Sequence, residues 1–301
     1  QVTIVGGLRY TKDKRTAQWR DWGFLFNSGL VQQTSGGSVR DLSYDGDKVN
    51  YLAGINYKPN DSALIYAKLS TGYKAGGFDS SGTTFLAENN TAYEGGVKLN
   101  FGPGDRNWFN LSGFYYDYSD LQNDVLLDAA LGNQTFNAGK ATIWGIEAEM
   151  NVNLSPRDIF NASFNYLNAR YDNFIASYNV IDLSPENATT LPPEENVDLA
   201  GKRLPQTPKF VIGVGYDHIF DMGASGTIKA SVYTRFKSDL YFSFYNYRDT
   251  RQDSFTQTDL SLEYRSINPK FSLQAFARNL ENIRPLTYAN YQAAGPDDVF
   301  N

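Results

Sequence analysis

Residues 143–154 read Ile-Trp-Gly-Ile-Glu-Ala-Glu-Met-Asn-Val-Asn-Leu, and this stretch decides the fold. Trp144, Ile146, Ala148, Met150, Val152 and Leu154 occupy alternate positions, with Glu147, Glu149, Asn151 and Asn153 between them. A period of two sends successive side chains to opposite faces of a strand, whereas a helix would scatter the same residues around its circumference. The pattern then recurs along the chain. In 227–237, Ile228, Ala230, Val232 and Phe236 alternate with Lys229, Ser231, Tyr233, Arg235 and Lys237. In 256–265, Thr258, Leu260, Leu262 and Tyr264 alternate with Gln257, Asp259, Ser261, Glu263 and Arg265. Segments 271–278 and 93–101 repeat it, and noisier versions occupy 2–11, 48–58, 62–74, 107–122, 158–171 and 208–220. That predicts about eleven strands.

The connections predict how the strands are joined. Short turns at Lys58–Asp61, Gly102–Asp105, Ser155–Asp158, Asp221–Gly226 and Ser266–Pro269 alternate with longer segments at 12–46, 75–90, 128–134, 172–206 and 242–252. Pro, Gly, Asn and Asp supply the turn chemistry. Strict alternation of short and long links is the mark of an up-and-down transmembrane barrel, with short turns on the periplasmic side and long loops outside. A soluble sandwich also alternates, but its apolar face needs a second apolar layer, and no amphipathic helix is available to cover it.

Composition agrees with this class. The 301 residues carry 21 Tyr, 20 Phe and 26 Gly, a mix suited to strands and aromatic girdles. Rings gather towards strand ends, as at Trp108-Phe109, Tyr115-Tyr116, Tyr118, Phe220 and Tyr241-Phe242. A mean hydropathy of −0.45 fits a barrel in which only alternate residues meet lipid. No run reaches the roughly 20 apolar residues of a transmembrane helix. The net charge of −6 gives no basic field for nucleic acid, and the absence of Cys excludes thiol chemistry, disulfides and zinc-finger metal sites. Gln1 opens directly into a strand-like run, the strand count is odd, and 288–301 reads as a loop. A closed bacterial barrel has an even count, so at least one closing strand is expected to lie outside this sequence.

Five motifs carry a family resemblance. They are Gly6-Gly7-Leu8-Arg9-Tyr10-Thr11-Lys12-Asp13, Tyr66-Ala67-Lys68-Leu69-Ser70-Thr71-Gly72-Tyr73-Lys74-Ala75-Gly76-Gly77-Phe78, Asn137-Ala138-Gly139-Lys140-Ala141-Thr142-Ile143-Trp144-Gly145-Ile146-Glu147, Arg203-Leu204-Pro205-Gln206-Thr207-Pro208 and Ala277-Arg278-Asn279-Leu280-Glu281-Asn282. In this order and spacing the chain resembles the C-terminal half of the barrel of TonB-dependent outer-membrane receptors. The resemblance implies an all-β, antiparallel, up-and-down barrel of about 22 strands, of which residues 1–301 supply about eleven. It also implies an N-terminal plug and a final C-terminal strand that this sequence lacks. The location it implies is the bacterial outer membrane. The partners it implies are outer-membrane lipid and lipopolysaccharide, a TonB-type energy transducer acting on the full-length protein, and a scarce solute, most commonly a ferric siderophore.

Candidate residues follow from face and loop. Glu147, Glu149, Lys229, Arg235, Asp259 and Glu263 are expected to face the lumen, and Trp144, Ile146, Val232, Leu260 and Leu262 the lipid. The loop Phe242–Arg251 is rich in rings and guanidinium, so Tyr245, Tyr247, Arg248 and Arg251 are the candidate ligand contacts; Tyr288 and Tyr291 are weaker ones. The single His, His218, shares the parity of Ile212, Val214 and Tyr216 and is expected at the lipid interface, not in a catalytic group. Asp41–Asp47 reads as an acidic turn without the calcium-loop pattern. No cofactor or metal is expected. A passive porin and a structural barrel anchoring surface assemblies are the competing readings, and a plug domain would separate the first of these from a receptor.

Overall fold

The computed structural model describes residues 1–20, 23–27, 30–34, 39–79, 82–128, 132–177, 196–267 and 271–289. Eleven strands form one antiparallel sheet: β1 (Val2–Arg20), β2 (Val39–Asn60), β3 (Ala63–Lys74), β4 (Glu88–Phe101), β5 (Asn107–Asp128), β6 (Gly132–Asn153), β7 (Asp158–Asn173), β8 (Phe210–Asp221), β9 (Thr227–Lys237), β10 (Phe255–Arg265) and β11 (Ser272–Ala277). Their order in the sheet is their order in the chain. This is the predicted up-and-down meander with the predicted number of strands.

The register carries one pattern from strand to strand. Trp144 lies opposite Tyr115, Tyr115 opposite Tyr93, and Tyr93 opposite Leu69. Ile146 meets Tyr166, which meets Phe210. Further along, Tyr216 meets Val232, Val232 meets Leu260, and Ala230 meets Leu262. The opposite face is polar: Glu149 meets Ser163, Ser163 meets Gly213, and Gly213 meets Arg235. Tyr233 there lies opposite Asp259, and Lys229 opposite Glu263. The apolar face is open, with Trp144 at 39%, Ile146 at 43% and Leu262 at 54% exposure. A sandwich would cover these residues; no second layer of described residues does.

Rings and polar groups mark the edges of the apolar face. Near the long-loop end, Trp144 packs on Tyr166 at 5.3 Å and Tyr166 on Phe210 at 5.2 Å. The Lys209 ammonium sits 5.7 Å from the Tyr166 and Phe210 ring centres, a cation at the boundary with its stem on apolar surface. At the short-turn end, His218 stacks edge-on against Phe220 at 4.4 Å and bonds Asp158 at 2.6 Å.

The polar face is internally compensated. Lys68 pairs with Glu94 at 2.9 Å, and the Tyr66 hydroxyl donates to the same carboxylate at 2.9 Å. Asn165 donates to Glu147 at 2.9 Å, Arg235 to Gln257 at 3.2 Å, and the Asn279 backbone N–H to Asp259 at 2.9 Å. Arg265 pairs with Glu263 at 2.7 Å, while Lys229 reaches Asp217 at 3.8 Å. Aromatic side chains lie across strand glycines. A Cβ added to Gly145 would stand 2.2 Å from the Tyr166 carbonyl oxygen and 2.7 Å from Phe114 Cζ.

Three expectations are corrected. Most of 12–46 is strand, because β1 and β2 pair without a break from Val2↔Tyr57 to Arg20↔Val39. Lys12 lies opposite Asp47, Lys14 opposite Asp45 and Gln18 opposite Asp41, so Asp41–Asp47 is ladder and not a turn. Likewise β5 and β6 run to Asp128 and from Gly132, which shortens the expected 128–134 loop. In the β1–β2 extension one face carries Lys12, Lys14, Gln18, Asp41, Asp45 and Asp47 and the other mixes Arg15 and Arg40 with Trp19, Leu42 and Tyr44, which blurs the apolar alternation used to find strands while leaving the ladder hydrogen bonds available.

The motif 277–282 acts as a stop. Asn279 and Asn282 adopt φ of 54° and 52°, in the left-handed region that Asn tolerates better than most residues. Asn279 bonds the Ile283 backbone through both its amide nitrogen (2.9 Å) and its amide oxygen (3.1 Å). Glu281 accepts the Thr258 backbone N–H at 2.8 Å and its hydroxyl at 2.5 Å. The chain therefore leaves the regular ladder after Ala277, held against β10 by these side chains and by the Leu280 N–H donating to the Thr258 carbonyl at 3.0 Å.

Candidate functional site

Close packing in this molecule is concentrated at the long-loop end. The buried cluster joins Ala138, Ala141, Ala169, Tyr171, Phe174, Ala176, Leu199, Leu204 and Phe244, with Tyr118, Leu121, Ile143 and Tyr245 packed against it. These residues come from the tops of β5, β6 and β7 and from the segments that follow β7 and β9. The mutual burial of rings and methyls gives these connections an apolar core of their own, so they need not lie free in solvent.

The cluster forms a ladder of rings leading outward. Tyr171 and Phe174 lie 4.9 Å apart, Phe174 and Phe244 5.2 Å, and Phe244 and Tyr245 4.4 Å. Tyr245 then stacks on Tyr247 at 5.1 Å, with the ring planes 11° apart. The buried Tyr171 hydroxyl donates to Asn123 Oδ1 at 2.7 Å, satisfying both groups. Two of the candidate contacts thus form a stacked pair whose inner ring is fixed by buried packing. Arg248 follows at the exposed start of a single helical turn, Arg248–Thr250, whose buried Thr250 hydroxyl donates to the Tyr247 carbonyl at 3.0 Å.

Arg251 belongs to a different arrangement. It pairs with Tyr241 in the two-residue ribbon Leu240–Tyr241 and Arg251–Gln252, and its guanidinium reaches Asp239 and Asp253 at 3.4 Å each. Asp239 also holds Arg203 at 2.8 Å. The sequence placed Tyr245, Tyr247, Arg248 and Arg251 in one patch. The structure stacks the two tyrosines on each other and commits Arg251 to carboxylates. Tyr288 is exposed, and Tyr291 lies outside the described residues.

A second surface went unread in the sequence. Along β2 the even-numbered residues from Leu42 to Asn56 are half-buried and the odd-numbered ones exposed. The half-buried side of this extension carries Tyr44, whose hydroxyl lies 3.1 Å from that of Tyr73, and above it Arg40 lies over the Trp19 ring at 4.5 Å. Its signal was present: Asp41, Ser43, Asp45 and Asp47 alternate with Arg40, Leu42, Tyr44 and Lys48. A period of two in charge and aromaticity is as informative as one in hydrophobicity.

Chemically, two stacked phenols followed in the chain by an arginine suit a flat, anionic or oxygen-rich solute. Among the described residues no group of three His, Cys, Asp or Glu side chains is placed to hold a metal ion.

Comparison with known proteins gives the context. A family model described as TonB dependent receptor-like, beta-barrel matches residues 1–280. The pesticin receptors of Yersinia enterocolitica and Yersinia pestis are 23% identical over 292 residues, covering 95% of this chain and 37% of theirs. The ferric yersiniabactin uptake receptor FyuA from Yersinia pestis superimposes with a TM-score of 0.71 at 20% identity, over 95% of this chain and 39% of that one. The siderophore receptor PiuA from Acinetobacter baumannii gives 0.67 at 19%, over 96% and 38%. The chain thus spans under two-fifths of the length of these relatives.

Proposed function

The chain belongs to the family of TonB-dependent receptor-like β-barrels, and from that premise we propose that the complete protein binds a ferric siderophore outside the cell and imports it. It is a portion of an outer-membrane barrel, and its relatives are receptors, not enzymes. In this reading the apolar face, with Trp144, Ile146, Val232, Leu260 and Leu262, meets acyl chains. The face with Glu147, Glu149, Lys229, Arg235, Asp259 and Glu263 lines a lumen that a plug domain fills. The plug and the remaining strands belong to the full-length protein, and a TonB-type transducer supplies the energy.

The observation that carries the proposal is the Tyr245–Tyr247 stack, fixed through Phe244 on a buried cluster at the long-loop end and followed by Arg248. Such a surface is organised before the solute arrives, which lowers the ordering cost of binding. The receptor names of the relatives support a ferric chelate as the solute. Uptake of radiolabelled ferric yersiniabactin and of a ferric catecholate by a deletion strain tests it. Complementation with the full-length gene restores uptake of one of them, and Tyr245→Ala with Tyr247→Ala reduces it. Uptake that persists after the proton gradient is collapsed refutes energy coupling and favours a passive pore.

A further inference from the structure

Arg203 opens the motif Arg203-Leu204-Pro205-Gln206-Thr207-Pro208, far in sequence from the tyrosine loop. Its guanidinium donates from Nη1 to Asp239 Oδ2 at 2.8 Å, and from Nη2 to the Thr207 carbonyl at 2.9 Å and the Asp239 carbonyl at 2.7 Å. It also lies over the Tyr241 ring, 5.5 Å from its centre. Only a planar fork serves acceptors in these several directions at once; an ammonium could keep the charge but not the geometry. The side chain is 20% exposed and Asp239 30%, so the pair is partly shielded from water.

The backbone of the same residue holds a second anchor. Arg203 N–H donates to Asn246 Oδ1 at 2.8 Å, and Asn246 Nδ2 donates back to the Arg203 carbonyl at 2.9 Å. Asn246 is the residue between the stacked tyrosines, and its φ of 58° lies in the left-handed region. That conformation is costly for most residues and survives where neighbours over-determine it. Asn246 also bonds the Ser243 carbonyl from its backbone N–H and from Nδ2, at 3.1 Å each. The direction in which Tyr245 and Tyr247 leave the chain is therefore set by an amide clamped to Arg203.

We infer that Arg203 is a positioning residue for the ligand surface: through Asn246 and Asp239 it locks the loop after β9 so that Tyr245 and Tyr247 are presented already stacked. This rests on the binding role proposed above for those tyrosines. Arg203 acts without touching the solute: its side chain is 20% exposed and three of its five guanidinium N–H groups are committed to Asp239 and Thr207.

The test uses the full-length receptor reconstituted in outer-membrane lipid, with ferric yersiniabactin and a ferric tris-catecholate as probes. Dissociation constants, amide hydrogen exchange and thermal unfolding are measured for wild type, Arg203→Ala, Arg203→Lys, Asn246→Ala, the Arg203→Ala/Asn246→Ala pair and Tyr247→Ala. Arg203→Ala is expected to weaken binding about tenfold through lost preorganisation. Exchange should rise across 243–250 with the barrel transition unmoved. Arg203→Lys recovers part of the affinity, and the double variant is no weaker than the worse single one, since the two links act in series: the guanidinium fixes the Arg203 backbone, and Asn246 grips that backbone. If Tyr247→Ala loses binding while Arg203→Ala binds within twofold of wild type, the positioning role is wrong and the binding surface stands. If Tyr247→Ala binds as wild type, or wild type binds neither probe, the binding surface and the positioning role fall together. Exchange that rises throughout the barrel in Arg203→Ala makes the residue a general stabiliser and overturns the inference.

Discussion

Replacing Gly145 by Ala tests the packing of the polar face most sharply. The added Cβ meets the Tyr166 carbonyl oxygen at 2.2 Å, and ordinary contact begins at 3.4 Å, so a gap of about 1.2 Å (3.4 − 2.2) has to open between β6 and β7. The second neighbour, Phe114 Cζ at 2.7 Å, is the end of a side chain and can swing away; the carbonyl cannot. Opening the ladder by that amount stretches a typical 2.9 Å backbone bond to about 4 Å, outside hydrogen-bonding range. Losing one or two such bonds and overpacking the site costs about 2–4 kcal/mol, against about 0.4–1 kcal/mol gained by stiffening the unfolded chain. The control is Gly113 in the adjacent strand, where an added Cβ meets only the Gly145 carbonyl oxygen at 3.9 Å. Urea unfolding of the full-length barrel in lipid vesicles, followed by tryptophan fluorescence, should show Gly145→Ala strongly destabilised and Gly113→Ala at or slightly above wild type. Adding Phe114→Ala to Gly145→Ala should recover only a minor part of the loss. Equal stabilities for the two glycine variants, or full rescue by Phe114→Ala, would show that the backbone contact is not what requires glycine here.

Three further outcomes are expected. Phe174→Ala removes a fully buried ring and costs about 3–5 kcal/mol locally; limited proteolysis should cut 196–209 and 240–252 faster while barrel unfolding stays unchanged, and loss of the whole barrel transition would contradict this. Leu260→Arg on the apolar face should cost up to about 2–4 kcal/mol in lipid, depending on depth, whereas Ser261→Arg, one residue along on the polar face, should cost far less; equal penalties would remove the assignment of faces. Glu281 is held below the usual carboxylate range chiefly by the Thr258 hydroxyl. A lowered folded pKa means that its contribution is full above the unfolded value near 4.3 and is lost as pH falls through the lower folded value. Glu281→Gln should therefore show faster exchange at 279–283 than wild type at pH 7, with the gap closing towards pH 2; a constant gap would sink the linkage.

How much of this was legible depends on what each segment meets. Inside the apolar band one face is oil-like and the other polar, so 143–154, 227–237 and 256–265 announce themselves by hydrophobic alternation. Beyond Tyr10 and Val49 the same two strands continue with Lys12 opposite Asp47 and Lys14 opposite Asp45, and the hydrophobic code falls silent although the ladder does not. The candidate site was legible as composition only. The sequence grouped Tyr245, Tyr247, Arg248 and Arg251 by their ring and guanidinium content, and neither the tyrosine stack nor the separate place of Arg251 could be read there, because Asp239 and the clamp from Arg203 depend on a fold that brings 203 beside 239 and 246. The alternating segment 271–278 put the end of β11 within one residue of Ala277, but the lock that holds it there was invisible, because it depends on Glu281 reaching back to Thr258.

The placement of the buried cluster reverses a common expectation about where such a protein can vary. Through the membrane the wall is a single sheet whose side chains end in lipid or on the polar side, so substitutions that keep polarity class and volume loosely matched should pass selection readily. Above it, Tyr171, Phe174, Leu199 and Phe244 interlock tightly. A saturation library scored for surface display should find these connecting segments less forgiving than the transmembrane strands, with diversification confined to exposed positions such as Asp249.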